Sequence, residues 1–237
     1  MRLDRVLSNL AHLNRQTVRQ MIAGGRVRVD GNSCRDGRFE VRIFNRVELD
    51  DVLVQAGKPA RYFMLHKPVG VVSATHHEAH RTVIDLLDEP AKDELHLAGR
   101  LDLNTSGLLL ITNDGQWSRH VTNPGSRKAK VYLVETENDI EPEYIETFAR
   151  GLYFAFEDLT TLPAKLEILA PRRARLSLHE GRYHQVKRMF GHFQNKVIGL
   201  HRTHIGSVEL DPNLAPGQYR QLSAAEVASF AEPEIQG

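Results

Sequence analysis

Residues 108–111 are four consecutive large apolar side chains, Leu108-Leu109-Leu110-Ile111, and they follow directly on a polar loop, Gly99-Arg100-Leu101-Asp102-Leu103-Asn104-Thr105-Ser106-Gly107. Successive side chains of a strand point to opposite faces, so a run that is apolar at every position must be covered on both. Gly107 to Thr112 is therefore expected to be a buried strand, ending in a turn at Asn113-Asp114-Gly115. Asp102 then lies in a polar loop at the mouth of that strand, where the sheet can hold a carboxylate in place while leaving it open to a substrate. The loop also has an ordinary structural reading, because Asp, Asn, Thr and Ser cap turns by bonding nearby backbone amides. The stretch alone does not choose between the two.

The rest of the chain divides unevenly. Leu3, Val6, Leu7 and Leu10 recur at helical spacing, and Val18, Met21 and Ile22 repeat the pattern after a cap at Asn14. Gly24-Gly25 stops this second helix; Arg26 to Val29 alternates, and Asp30-Gly31 is a hairpin signal. Ala56-Gly57-Lys58-Pro59-Ala60 is the expected linker, which places one domain at 1–58 and another at 61–232. In the second, Tyr62–Leu65 and Val69–Val72 read as strands interrupted by Lys67-Pro68, and Thr82–Leu87 as a short helix. Val131–Glu135 reads as a strand, Ile145–Ala149 as a helix, 165–179 as a hairpin around Pro171-Arg172-Arg173, and Gln185–His192 as a helix. Strands outnumber helices and several are joined by short turns, so the expected class is α+β: a mixed, mainly antiparallel sheet with helices packed on it.

Composition bounds the function. At 237 residues and 41% hydrophobic content the chain can bury sizeable cores. No apolar run approaches the ~20 residues needed to cross a bilayer, and the basic start Met1-Arg2-Leu3-Asp4-Arg5 has no apolar export segment, so a soluble cytoplasmic protein is expected. The single cysteine, Cys34, allows no internal disulfide. A net charge of +1 hides an asymmetry: residues 1–60 carry eleven Lys and Arg against seven Asp and Glu. Within 1–28, Arg2, Arg5, Arg15, Arg19, Arg26 and Arg28 face one acid, Asp4. A second cluster, Arg172, Arg173, Arg175, Arg182, Lys187 and Arg188, has only Glu180 as an acidic neighbour in sequence. Two such patches suggest a polyanionic partner, although a solvated basic face explains either one alone.

Familiar cofactor signatures are absent. There is no phosphate-binding Gly-x-x-x-x-Gly-Lys-Ser/Thr loop and no Gly-x-Gly-x-x-Gly fingerprint, so neither ATP nor NAD is expected. His76, His77, Glu78 and His80 suggest a metal, but His77 and His80 are three apart rather than four, and an exposed loop is the simpler account. His201 and His204 have no nearby carboxylate or cysteine to complete a site, so no metal is expected.

The run GRLDLNTSGLLLITNDG (99–115) resembles the signature of the bacterial ribosomal pseudouridine synthases, in particular the family typified by ribosomal small subunit pseudouridine synthase A. RYFMLHKPVGVVS (61–73), RKAKVYLVE (127–135) and EGRYHQVKRMF (180–190) agree with it in order, and the likeness extends from Met1 to about Phe230. The helix pair with its Gly-Gly turn resembles the S-four type of RNA-binding module, which would place Arg15 and Arg19 against phosphates. The resemblance implies isomerisation of a uridine in small-subunit (16S) ribosomal RNA without a cofactor. It makes Asp102 the essential carboxylate and Tyr132 the aromatic that stacks on the target base. Lys187 is the first choice for the cation that orients Asp102. Arg182 and Arg188 are alternatives or phosphate contacts, and Arg100 reaches toward the vacated base position or a phosphate. The implied partner is ribosomal RNA or a small-subunit assembly intermediate, bound by a monomer away from any membrane. A sister enzyme acting on large-subunit RNA, a uracil-releasing hydrolase and a non-catalytic ribosome-assembly factor remain as alternatives.

Overall fold

The computed structural model describes residues 1–10, 13–126 and 128–230. Arg127, which opens one of the motifs above, and residues 231–232 of the expected second domain lie outside them. The chain forms two compact units, Met1–Ala60 and Arg61–Gly237.

In the first unit, helices α1 (Leu3–Ser8) and α2 (Arg15–Ala23) precede a four-stranded sheet of β1 (Val27–Val29), β2 (Asn32–Ser33), β3 (Val47–Leu49) and β4 (Val52–Gln55), in the order β2-β1-β3-β4. Asn14 caps α2, its side chain accepting from the Thr17 amide at 2.9 Å and satisfying a donor the first turn leaves free. Asp30 and Gly31 both sit at positive φ, the geometry a two-residue hairpin requires, and they join β1 to β2. Leu3, Leu7, Val18 and Ile22 from the helices meet Val27, Val29 and Val47 from the sheet, which buries the apolar face of each helix.

The second unit is built on a nine-stranded sheet. Its path runs β11 (Lys165–Ala170), β12 (Arg173–Leu178), β8 (Lys130–Thr136), β13 (Val197–Ile205), β7 (Ser106–Thr112), β5 (Tyr62–Lys67), β15 (Tyr219–Gln221). Short β6 (His96–Leu97) pairs with β7 and β14 (Val208–Glu209) with β13, while β9 (Tyr153–Phe154) and β10 (Leu159–Thr160) form a separate hairpin. Every pairing in the large sheet is antiparallel except β13 with β7. The run 108–111 is indeed covered twice. Leu108 and Leu110 enter a core with Trp117, Val121, Ile205 and Phe230, and Leu109 and Ile111 enter another with Phe63, Leu65, Val83 and Leu95. A third core joins α4 (Glu143–Arg150) and α5 (Gln185–Gly191) to β8, β11 and β12 through Tyr144, Phe148, Met189 and Phe190.

Three local expectations need correction. Val69–Val72 is not a strand: Gly70 takes φ +79° in a turn, and only Val72 forms a bridge, to Thr82. Helical geometry between Thr82 and Leu87 is limited to a 3-10 turn at Ile84–Leu86. Asp114 does more than turn the chain, because its carboxylate caps an unanticipated helix, α3 (Gly115–Thr122), by accepting from the Gln116 and Trp117 amides. The final helix, α6 (Ala224–Ala228), carries a capping box between Ser223 and Glu226.

Candidate active site

The loop between β6 and β7 is held from below by buried polar groups. Ser73 Oγ donates to the Leu101 carbonyl at 2.7 Å and accepts from the Leu101 amide at 3.1 Å, fixing the residue before Asp102 on both sides. The Gly70 amide donates to Leu103 O, and the Thr105 amide closes the turn on Asp102 O. Lys67, at the end of β5, is fully buried, and its ammonium donates to the carbonyls of Thr105 (2.8 Å), Pro68 (2.9 Å) and Leu103 (3.4 Å). Burial pushes the Lys67 pKa down to about 8, opposed by the negative charge of Asp102. Arg202 on β13 braces the other flank: its Nε donates to Leu108 O at 2.9 Å and a terminal nitrogen to Arg100 O at 3.4 Å. That approach depends on Gly107, at φ +111°, where a Cβ would lie 2.2 Å from the Arg202 carbonyl oxygen.

Asp102, so positioned, opens onto a cavity of about 230 Å³. Across it α5 begins at His184, a non-glycine residue in the left-handed region. Lys187 Nζ lies 3.3 Å and His184 Nε2 3.5 Å from Asp102 Oδ2. Tyr132, nearly buried on β8, lines the same cavity with Leu178, Val186, Leu200 and Ile205, giving apolar walls beside two carboxylates, Asp102 and Glu180, and the basic side chains that meet them. Apolar walls with a few convergent polar groups are the usual make-up of a small-ligand pocket.

Three of the sequence-derived site residues, Asp102, Tyr132 and Lys187, thus converge on one cavity. Arg100 and Arg182 line it too, but differently. Arg100 is exposed, and its guanidinium has no acidic partner among the described residues, whereas Arg182 Nε donates at 2.9 Å to Glu180, a buried carboxylate that also accepts from Gln185 and the Leu162 amide. Arg188 lies outside the lining residues, in a two-pronged pair with Glu157 and with its guanidinium 3.6 Å from the Phe154 ring centroid. Sequence reasoning assigned no role to Lys67, Ser73, His184 or Arg202. Lys67 and His184 lie inside quoted motifs, but their contacts with the Asp102 loop span 35 residues or more and leave no periodic signal.

The second basic cluster is not an open patch. Asp139, Glu135, Glu167, Glu180 and Glu157 pair with Arg172, Arg173, Arg175, Arg182 and Arg188 respectively. In the first unit, Arg2 pairs with Asp4, Arg26 with Asp50, and Arg28 with Asp51 and Glu48. Arg15 and Arg19, exposed one turn apart on α2, have no ion pair among the described residues. In the histidine-rich loop, His77 Nδ1 accepts from the Ala79 and His80 amides, a turn-forming contact.

A family model described as RNA pseudouridylate synthase matches residues 61–192, and one described as S4 domain matches residues 1–47. Ribosomal small subunit pseudouridine synthase A of Pseudomonas aeruginosa is 62% identical over 97% of this chain and all of its own length. The protein of the same name from Escherichia coli K12 is 45% identical over 97% of this chain and 99% of its own. A solved structure described as a pseudouridylate synthase superposes with a TM-score of 0.71 at 38% identity, covering 98% of this chain and all of that one. An S4 RNA-binding module followed by a synthase domain, matched over nearly the full length of these relatives, means that the chain belongs to the small-subunit pseudouridine synthase A family and is an RNA pseudouridine synthase.

Proposed function

We propose that the chain isomerises one uridine of small-subunit ribosomal RNA, with Asp102 as the essential carboxylate and no cofactor. The observation that carries this reading is the placement of Asp102 on an apolar-walled cavity within 3.5 Å of both Lys187 and His184. The small-subunit substrate rests on the names of the relatives above.

The reaction breaks the N1–C1′ bond, turns the released uracil, and joins C5 to C1′; the C5 proton leaves and N1 gains one. Asp102 serves either by attacking C1′, to be expelled when C5 bonds there, or by removing the C2′ proton and returning it. In both cases Lys187 and His184 orient the carboxylate. The ring of Tyr132 covers the uracil and limits its escape while it is detached. The module at 1–58 supplies phosphate contacts through Arg15 and Arg19, Arg100 grips RNA at the rim, and 61–232 carries the chemistry. A monomer acting in the cytoplasm on a partly assembled subunit meets the uridine before folding hides it, when extracting the base costs least.

Mapping pseudouridines in ribosomal RNA from cells lacking the protein, and from the same cells given back the wild-type or Asp102→Asn form, tests this reading. One small-subunit site should disappear, return with wild type, and stay absent with Asp102→Asn. A missing large-subunit site would move the substrate. Restoration by Asp102→Asn would remove the carboxylate from the mechanism.

A further inference from the structure

The cavity accounts for one flipped base and leaves the next nucleotide of the strand without a seat. Between the cavity-lining residues Arg182 and His184 stands Tyr183, whose side chain is 75% exposed. Its ring lies flat against the His184 imidazole, with centroids 3.8 Å apart and planes 20° apart. His184 in turn stands 3.5 Å from Asp102. The backbone beneath is fixed: the Arg182 amide donates to the Gln185 side chain, the Gln185 amide to Arg182 O, and the Arg188 amide to His184 O.

We propose that Tyr183 is a stacking platform for the nucleobase adjacent to the target uridine. This rests on the reading of the Asp102 cavity as the uridine site. One face of the ring is covered by His184, which itself meets the Asp102 carboxylate, and a ring so exposed keeps its other face open. An enzyme acting on RNA that draws one base into the cavity brings the neighbouring base to its rim, and an aromatic ring already held in orientation stacks on it with little loss of freedom. Every base presents a π face, so the platform supplies affinity and register rather than sequence choice. His184 thereby has two jobs, supporting the platform and contacting Asp102.

The test uses the full chain and the ribosomal RNA fragment carrying the modified uridine, made intact or with an abasic ribose immediately 5′ or 3′ of it. Binding is measured for the Asp102→Asn protein with Tyr183 retained, changed to Phe, or changed to Ala. Tyr183→Ala should weaken binding of intact RNA by roughly 5- to 150-fold, the range for loss of one base–aromatic stack, and Tyr183→Phe should not. With one of the two abasic RNAs the Ala and Tyr forms should bind alike, because the partner is gone. An equal loss from Tyr183→Ala on all three RNAs, or none on the intact RNA, overturns the platform. Because binding is read in a protein lacking the Asp102 charge, that result stands apart from whether Asp102 is essential.

Discussion

The arginines of α2 and those between Arg172 and Arg188 look alike in sequence and differ in the folded molecule. Arg15 and Arg19 are exposed and form no ion pair among the described residues, with Arg19 acting on Asp4 only at longer range, whereas Arg172, Arg173, Arg175 and Arg188 each meet a carboxylate from elsewhere in the second unit and Arg182 meets Glu180 within its own cluster. Charge counted along a chain is not charge available to a ligand. An ion pair is already neutralised and its arginine already oriented, so it gains less from a phosphate than a free guanidinium does. Lys187 is the exception within the second cluster, because its partner is Asp102 itself.

The largest effect that would sharpen this contrast lies there. Lys187→Gln leaves Asp102 with His184 alone and should lower the single-turnover rate by about 100-fold or more, the scale expected when a reacting group loses its orientation. Arg188→Gln, which opens only the pair with Glu157, should change that rate by no more than a few-fold. Equal losses would mean that the two cations are not distinguished by their partners. An intermediate effect is expected in the first unit. Neutralising Arg15 and Arg19 together should weaken RNA binding and flatten the dependence of log affinity on log salt by about two units. Neutralising Arg172 and Arg173 should leave the slope unchanged, and a flattened slope there would break the comparison. The smallest effect concerns Lys67. Its ammonium loses a proton as pH rises through about 8, leaving two N–H donors for three loop carbonyls, so the single-turnover rate should decline a few-fold above that pH. Stability should move the other way. The unfolded chain keeps this proton to about pH 10.5 while the native state has released it, so the native state binds fewer protons over that window and the cost of burying the charge is lifted. A rate that stays flat to pH 9.5 would remove Lys67 from the support of the Asp102 loop.

What the sequence makes legible follows from how local its cause is. The run 108–111 announces a doubly covered strand because the alternation of side chains is a property of the strand alone. Asn14 and the Asp30-Gly31 hairpin are equally local. Strand β13 leaves no clear trace in the sequence because His201, Arg202 and His204 interrupt its apolar pattern. They do so for tertiary reasons: Arg202 braces the Asp102 loop, and His201 bonds Ser106 through Nδ1 at 2.8 Å. Val69–Val72 looks like a strand by composition, but Pro68 has no amide to offer a ladder and Gly70 turns the chain. In the site, Asp102, Tyr132 and Lys187 are visible through motifs, while Lys67, Ser73 and Arg202 act on carbonyls of a loop far away in sequence. Apart from Glu180, the acids that neutralise the second cluster come from β8, β11 and intervening loops, which no charge count along residues 172–188 can include.

The parallel ladder between β13 and β7 is two residue pairs long, His201 with Ser106 and Arg202 with Gly107. Among the described residues it is also the only ladder joining the half of the sheet that carries Asp102 and Lys67 to the half that carries Tyr132. The cavity therefore straddles a seam, with its Asp102 side sewn to its Tyr132 side by a few stitches. A join so narrow makes the gap between Asp102 and Lys187 a gauge of this sheet: an alteration at Gly107 touches neither side chain, yet it should reach both through the pairing with Arg202 that an added Cβ would disturb. Tolerance to substitution in this molecule should be read along that seam as much as around the cavity it spans.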